Sequence, residues 1–307
     1  MLFFTETVIS GLMTGVMYSL VALGFVLIFK ASGIFNFAQG VFALFAGLAL
    51  YDFIAPGGWF DNLFGFTLPI WLGIIATMGV MVIVAWLVER LILRHLVNQE
   101  QIILFMSTLG LAYFMEGLGD TLFGSDVKPL DIGLPTGAWD YLLDTHNLYV
   151  EKLELVAGAV AAALVIVLAV FFQKTRIGRA LRAVADDHQA ALSVGISLRT
   201  IWIIVWSVSG FVALVAGIMW GSKSGIQFSL SLIALKALPV LILGGFTSVP
   251  GAIIGGLIIG VGEKVAEIYA GPFIGGAIEN WFAYMLALVF LLFRPQGLFG
   301  EKIIERV

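Results

Sequence analysis

The chain has 307 residues, of which 61% are hydrophobic and 12% charged, and its mean hydropathy is +1.06. A soluble domain keeps its surface wet with roughly a quarter of its residues charged, so water is not the main solvent here. A net charge of -4 and a pI near 5.4 offer no basic field to neutralise phosphates, which sets nucleic acid aside, and the absence of cysteine removes disulfides, thiolate metal sites and cysteine nucleophiles.

The segment from Met1 to Thr7 carries Glu6 but no Lys or Arg, and no small-residue cleavage site follows before Lys30. It therefore lacks the basic start of a signal peptide, and Val8 to Phe29 is expected as a retained first span. Runs apolar enough to cross about 30 Å of hydrocarbon follow at 68–88, 155–172, 200–221 and 276–293. Less regular runs at 37–54, 101–118, 232–245 and 251–268 contain glycines or charges and are expected as short, tilted, broken or re-entrant segments. The fold class expected is an all-α polytopic membrane protein of about 8–10 transmembrane helices, forming one domain over the whole chain.

Basic residues of short loops collect on the cytoplasmic side. Lys30, Arg90, Arg94, Lys174, Arg176, Arg179, Arg182, Arg199, Arg294, Lys302 and Arg306 mark one side in this sequence. Residues 119–152 set Asp126, Asp131, Asp140 and Asp144 against Lys128, with Gly and Pro punctuation, and are expected as an external loop. The N-terminus is then outside and the C-terminus cytoplasmic. The chain contains no Walker-type phosphate loop, no H-E-x-x-H, no G-x-S-x-G and no metal-ligand cluster. His95, His146 and His188 fall in separate predicted loops. An enzyme is not expected, and any ATP would be held by a partner.

The predicted cytoplasmic loop 174–199 is too long for a simple turn. Between Gly178 and Leu192 it has strong helix formers, with Ala180, Leu181, Val184, Ala185, Ala191 and Leu192 on an apolar side and Arg179, Arg182, Asp186 and Asp187 on a polar one. Gly195 suits the helix stop. Two readings stand: a helix lying on lipid headgroups, or a small-residue face docking into a groove of another protein.

Polar groups at membrane depth usually face a bundle interior or water. Lys236 lies inside an apolar run that continues to Pro239 and the pair Gly244 and Gly245, so it either lines a cavity at a broken helix or snorkels to the interface. Asn36, Gln39 and Gln227 are neutral hydrogen-bonding groups beside predicted spans that can contact a zwitterion or amide, with capping of a re-entrant turn the alternative for Asn36. Glu116, Glu263, Lys264, Glu267 and Glu279 are the other membrane-proximal charges, with Lys264 expected to reach Glu267 at i,i+3. The G-x-x-x-G steps Gly11 with Gly15, Gly251 with Gly255 and Gly256 with Gly260 allow close helix approach, to a helix of this chain or of a partner.

Four passages together resemble the Liv-type family of branched-chain amino acid ABC transporter permeases: Asn36 to Gly40 (NFAQG), Thr175 to Ile196, Leu243 to Ala252 (LGGFTSVPGA) and Phe293 to Gly300 (FRPQGLFG). Their order and spacing cover nearly the whole chain. The resemblance implies a single transmembrane permease subunit, in a bacterial-type inner membrane, of an importer for branched-chain or other amino acids or similar small solutes. Its implied partners are a second related permease forming a heterodimer, two ATPase subunits carrying ATP, and an external solute-binding protein, with no cofactor on this chain. It also makes the loop helix the coupling helix, with Thr175, Arg176, Gly178, Arg179, Ala180, Arg182, Ala183, Asp186 and Asp187 toward the ATPase. Asn36, Gln39, Gln227, Lys236, Pro239, Gly244 and Gly245 are the expected pathway residues.

The sequence departs from the family pattern at Gln39, where His is common, at Pro239, and in the loop from Arg94 to Glu100, which lacks an expected Pro and extra basic residues. These departures widen the expected solutes to urea, short amides, other amino acids or aromatic acids. The reading from another class is a self-sufficient secondary carrier or channel for such solutes, which would place ionisable residues at the midplane. A scaffold subunit would leave every polar candidate dispensable.

Overall fold

The computed structural model describes residues 2–96, 99–146, 148–186 and 188–300. Its α-helices are α1 (Leu2–Ser32), α2 (Gln39–Ile54), α3 (Trp59–Phe64), α4 (Ile70–Leu91), α5 (Gln101–Phe123), α6 (Asp140–His146) and α7 (Lys152–Lys174). They continue as α8 (Arg176–Asp186), α9 (His188–Ser193), α10 (Leu198–Ser224), α11 (Ile233–Gly244), α12 (Val249–Ile274) and α13 (Phe282–Phe293). Among the described residues, extended pairing is confined to the isolated bridges Lys128 with Ile226 and Ala138 with Glu151. The expected all-α polytopic architecture is the one the chain adopts.

Among the described residues, seven helical stretches are long and apolar enough to cross a membrane, beginning with α1, α2, α4, α5, α7, α10 and α12. Each of the nine apolar runs read from the sequence contributes a helix, but α11 and α13 have only 12 residues each. At 1.5 Å per residue they reach about 18 Å, short of the roughly 30 Å core.

Local chemistry sets the helix ends. The Ser248 hydroxyl accepts from the Gly251 N–H at 3.0 Å and opens α12, with Pro250 in its first turn, and Gly275 closes it in a left-handed conformation at φ 102°. A broken helix around Pro239 is one of the two readings open from the sequence; α11 runs through that proline. A proline lacks the N–H that would bond the carbonyl four residues earlier, here that of Leu235. The Tyr284 hydroxyl donates to that carbonyl at 2.7 Å and so supplies the hydrogen bond the proline cannot.

Contact clustering gives two compact units: Met1–Val26, Gly133–Val165 and Leu235–Val307 form the first, and Leu27–Ile132 and Ile166–Ala234 the second. In the first unit α1 meets α12 through glycines. A Cβ on Gly11 would lie 2.6 Å from Val261 Cα, and one on Gly15 would lie 2.8 Å from Leu257 Cα. Gly256 and Gly260 are equally closed from the other side, by Gly15 and Gly11. Gly251 and Gly255 receive α11 at Gly244 and Val240. The glycine steps therefore pack helices of this chain against each other, the alternative the sequence had left open.

In the second unit α2 is the core, with 13 of its residues buried, as a helix that is apolar all round requires. It packs against α4, α5 and α10. Gly217 of α10 approaches the Ala43 carbonyl, and Phe42 meets Trp206 edge-on at 5.8 Å. The outer faces of α4 and α5 stay open, with Trp71, Ile83, Tyr113 and Phe114 exposed.

Candidate functional site

The loop helix is α8, and its junction with α7 is fastened by three of the residues singled out from sequence. The Thr175 hydroxyl donates to the Phe171 carbonyl at 2.6 Å and accepts from the Gly178 N–H at 2.9 Å, so it closes α7 and caps α8 at once. Gly178 has no room for a side chain, because a Cβ would collide with the Phe171 and Phe172 carbonyls. Arg182 donates to the Phe172 carbonyl, placing a cation at the negative end of α7. The corner is thus rigid by construction.

The apolar side of α8 is not free to dock. Leu181 and Val184 are buried within the second unit, where α8 packs on α9 and α10, and Ala191 of α9 is buried with them. This segment presents outward Arg176, Arg179, Arg182, Ile177 at 41% exposure and Val194 at 74%, together with Leu192, which was expected on the apolar side and is 53% exposed. Ala180 and Ala183 are half-buried, α8 ends at Asp186, and Asp187 lies outside the described residues, as do Lys302 and Arg306. Gly195 ends the segment at φ 82° as expected. Just beyond, Arg199 places its Nε 3.4 Å from the buried carboxylate of Glu89 on α4.

The expected pathway residues divide between the units. In the second, Asn36 and Gln39 are fully buried and hydrogen-bonded to each other at 3.3 Å. Asn36 Oδ1 accepts from the Ala38 N–H at 3.1 Å, the Ser209 hydroxyl donates to Gln39 Oε1 at 2.8 Å, and Gln39 Nε2 donates to the Ser209 carbonyl at 3.4 Å. Thr108 holds the same turn by donating to the Phe35 carbonyl and accepting from the Phe37 N–H at 3.1 Å. The Asn36 to Gly40 passage is thereby tied to α5 and α10. Gln227, half-buried, precedes the 3-10 turn Phe228–Leu232 in extended backbone.

In the first unit, Pro239, Gly244 and Gly245 are buried in the backbone packing of α11. Gly245 adopts φ 100°, and the chain from Phe293 to Gly300 returns to cap the helix. The Leu298 N–H reaches the Leu243 carbonyl at 2.8 Å and the Phe299 N–H the Gly244 carbonyl at 3.2 Å. Two of the four motif passages thus meet, and their glycines are explained by that contact.

Lys236 has a different character. Its Nζ lies 2.6 Å from Glu263 Oε1 and donates to the Glu279 carbonyl at 3.3 Å. The Tyr18 hydroxyl donates to the same Glu263 oxygen at 3.2 Å. Glu263 is 1% exposed, and its Oε2 has no hydrogen-bond partner among the described residues. The local ion pair expected between Lys264 and Glu267 gives way to another arrangement. Lys264 pairs with Glu279 at 3.3 Å, and Glu267 accepts the Ala277 and Glu279 N–H groups at 3.0 and 2.9 Å. Tyr18 was not singled out from the sequence, and Glu263 was read there as a membrane-proximal charge but not as a pathway residue, although an acidic residue near the middle of an apolar 26-residue helix was the available signal.

With this geometry in place, the comparisons are decisive. The model of the family described as "Branched-chain amino acid transport system / permease component" matches residues 7–294. The chain belongs to this family. It is 26% identical to the high-affinity branched-chain amino acid transport system permease protein LivH of Escherichia coli (strain K12), over 100% of this chain and 98% of that protein. It is likewise 26% identical to the permease protein BraD of Pseudomonas aeruginosa, over 99% and 98% of the two chains. Among solved structures, PsaBC from Streptococcus pneumoniae in complex with Fab aligns with TM-score 0.45 and 15% identity, over 92% of this chain and 89% of that one. As a member of the permease family with seven long apolar helices, the protein is a multi-pass inner-membrane protein. Its full-length relatives are transport permeases, not enzymes.

Proposed function

We propose that this permease is the translocation subunit of an ATP-binding cassette importer for branched-chain or other amino acids or similarly small polar solutes. It would work beside a second related permease, two ATPase subunits that bind and hydrolyse ATP, and an external solute-binding protein. The observation that carries the reading is the fastened α7–α8 corner, a short basic helix held rigidly between two spans. In this reading the N-terminus is external, residues 119–152 are an external loop, and 174–199 face the cytoplasm with α8 as the coupling helix. Movement of the ATPases is passed through Thr175, Gly178 and Arg182 to α7, because this junction has no slack to absorb it.

Arg176 and Arg179 then form the charged surface for an ATPase, while Arg182 has a structural duty on the same helix. The test is co-purification of the ATPase with the tagged permease. Arg176→Glu with Arg179→Glu is expected to lose the ATPase while the permease melts as wild type does. ATPase retained at wild-type yield by the reversed pair would contradict the assignment of α8. The Lys236–Glu263 pair, in which the carboxylate is buried and the ammonium part-open, favours a gradient-driven carrier, since such carriers set ionisable groups at membrane depth. Solute uptake by this chain alone, without ATP, would establish that reading instead.

A further inference from the structure

We infer that Lys236 and Glu263 form a binding station for a zwitterionic solute, Glu263 receiving its ammonium and Lys236 its carboxylate; this rests on the translocation reading above. Glu263 lies 14 residues after Val249 and 11 before Ile274, so it is about 21 Å and 17 Å from the ends of α12. An ionised pair at that depth is costly unless its hydrogen-bonding capacity is filled. Here it is not. Glu263 Oε1 takes both Lys236 and Tyr18, whereas Oε2, buried with the rest of the side chain, takes no donor among the described residues. A buried carboxylate oxygen without a donor keeps hydrogen-bonding capacity that a ligand can fill.

Lys236 is the complementary half. Its ammonium has three N–H donors, of which one goes to Glu263 and one to the Glu279 carbonyl. The side chain is 28% exposed, so this is the face from which a solute reaches the pair. An empty carboxylate oxygen beside a part-open ammonium matches a molecule with one charge of each sign. Urea and acetamide carry hydrogen-bonding groups but neither charge, and so forgo the charge-assisted bonds.

The chain has no cysteine of its own, which makes Lys236→Cys a clean reporter. In the complex with its partners, this variant is expected to lose at least about tenfold of L-leucine or L-glutamine uptake, as removal of a charged hydrogen-bond partner does. Labelling with methanethiosulfonate ethylammonium returns an ammonium near the lost position and is expected to recover uptake. Either amino acid should slow that labelling, whereas urea and acetamide should not. Labelling indifferent to the amino acids, slowed equally by urea, or absent altogether would overturn the proposal. So would a Lys236→Cys chain that no longer assembles, since the pair would then be a structural tie. Failure of the wild-type complex to take up any amino acid with ATP is a separate outcome that removes the translocation reading itself.

Discussion

Substituting Gly15 by alanine tests the glycine-mediated packing of α1 on α12. The added methyl would lie 2.8 Å from Leu257 Cα and 2.9 Å from the Gly256 carbonyl carbon. Carbon atoms rest about 3.5–4.0 Å apart, so the backbones must part by close to 1 Å, and neither obstacle is a flexible side chain. Ser19, whose hydroxyl is 3.2 Å from the Ala252 carbonyl across this crossing, would lose that contact. Overpacking of this kind costs about 1–3 kcal/mol, or about 5–150-fold in the folded population. Gly110→Ala is the matched control: it lies inside α5 with nothing within 4 Å, where alanine stabilises a helix by about 0.5–1 kcal/mol. Denaturation by sodium dodecyl sulfate in mixed micelles, followed by circular dichroism, should separate the two variants by about 2–4 kcal/mol. Equal midpoints for Gly15→Ala and Gly110→Ala would refute the reasoning.

Tyr284→Phe should cost about 1–3 kcal/mol by orphaning the Leu235 carbonyl, and much less in a Pro239→Ala background, where alanine restores the missing N–H; a double-mutant cycle in the same unfolding assay measures the difference. Gln39→Leu removes the acceptor of both Ser209 and Asn36, and a loss of about 2 kcal/mol or more is expected from the melting of purified protein. The Lys152 ammonium, 2.9 Å away, holds the Asp140 carboxyl below its ordinary value through their hydrogen bond and charge attraction. A carboxyl depressed on folding stabilises above its unfolded pKa and loses that contribution as pH falls through the lower folded value. Lys152→Met should therefore move the Asp140 titration upward, as seen by carbon NMR of labelled aspartate.

The architecture was legible because the bilayer imposes a simple rule: a long apolar run must satisfy its own backbone as a helix. Glycine spacing marked the close approaches at Gly15 and Gly256, which need nothing beyond a missing side chain, but not which chain supplies the neighbouring helix. Partnerships between distant helices were less legible. From sequence, the natural partner of Lys264 was Glu267 one turn away, yet the fold brings Glu279 to it and leaves Glu267 to hold the turn at Ala277. Lys236 likewise finds Glu263, 27 residues on, because close glycine contacts draw α11 and α12 together. At Pro239 the sequence left a broken helix open, because the Tyr284 hydroxyl that satisfies the Leu235 carbonyl belongs to α13. On α8 the periodicity identified the apolar face correctly but was silent on what covers it, and the covering surface comes from the chain itself.

In the proposed importer, this permease moves solute only when partner subunits hydrolyse ATP. The direct measurement is uptake of radiolabelled L-leucine and L-glutamine into proteoliposomes holding the permease with its co-purifying partners and binding protein, with ATP or a non-hydrolysable analogue supplied on the ATPase side. Accumulation with ATP, none with the analogue, and loss on reversing Arg176 and Arg179 together are expected. Uptake of equal rate with the analogue, or by the permease alone, would contradict the claim.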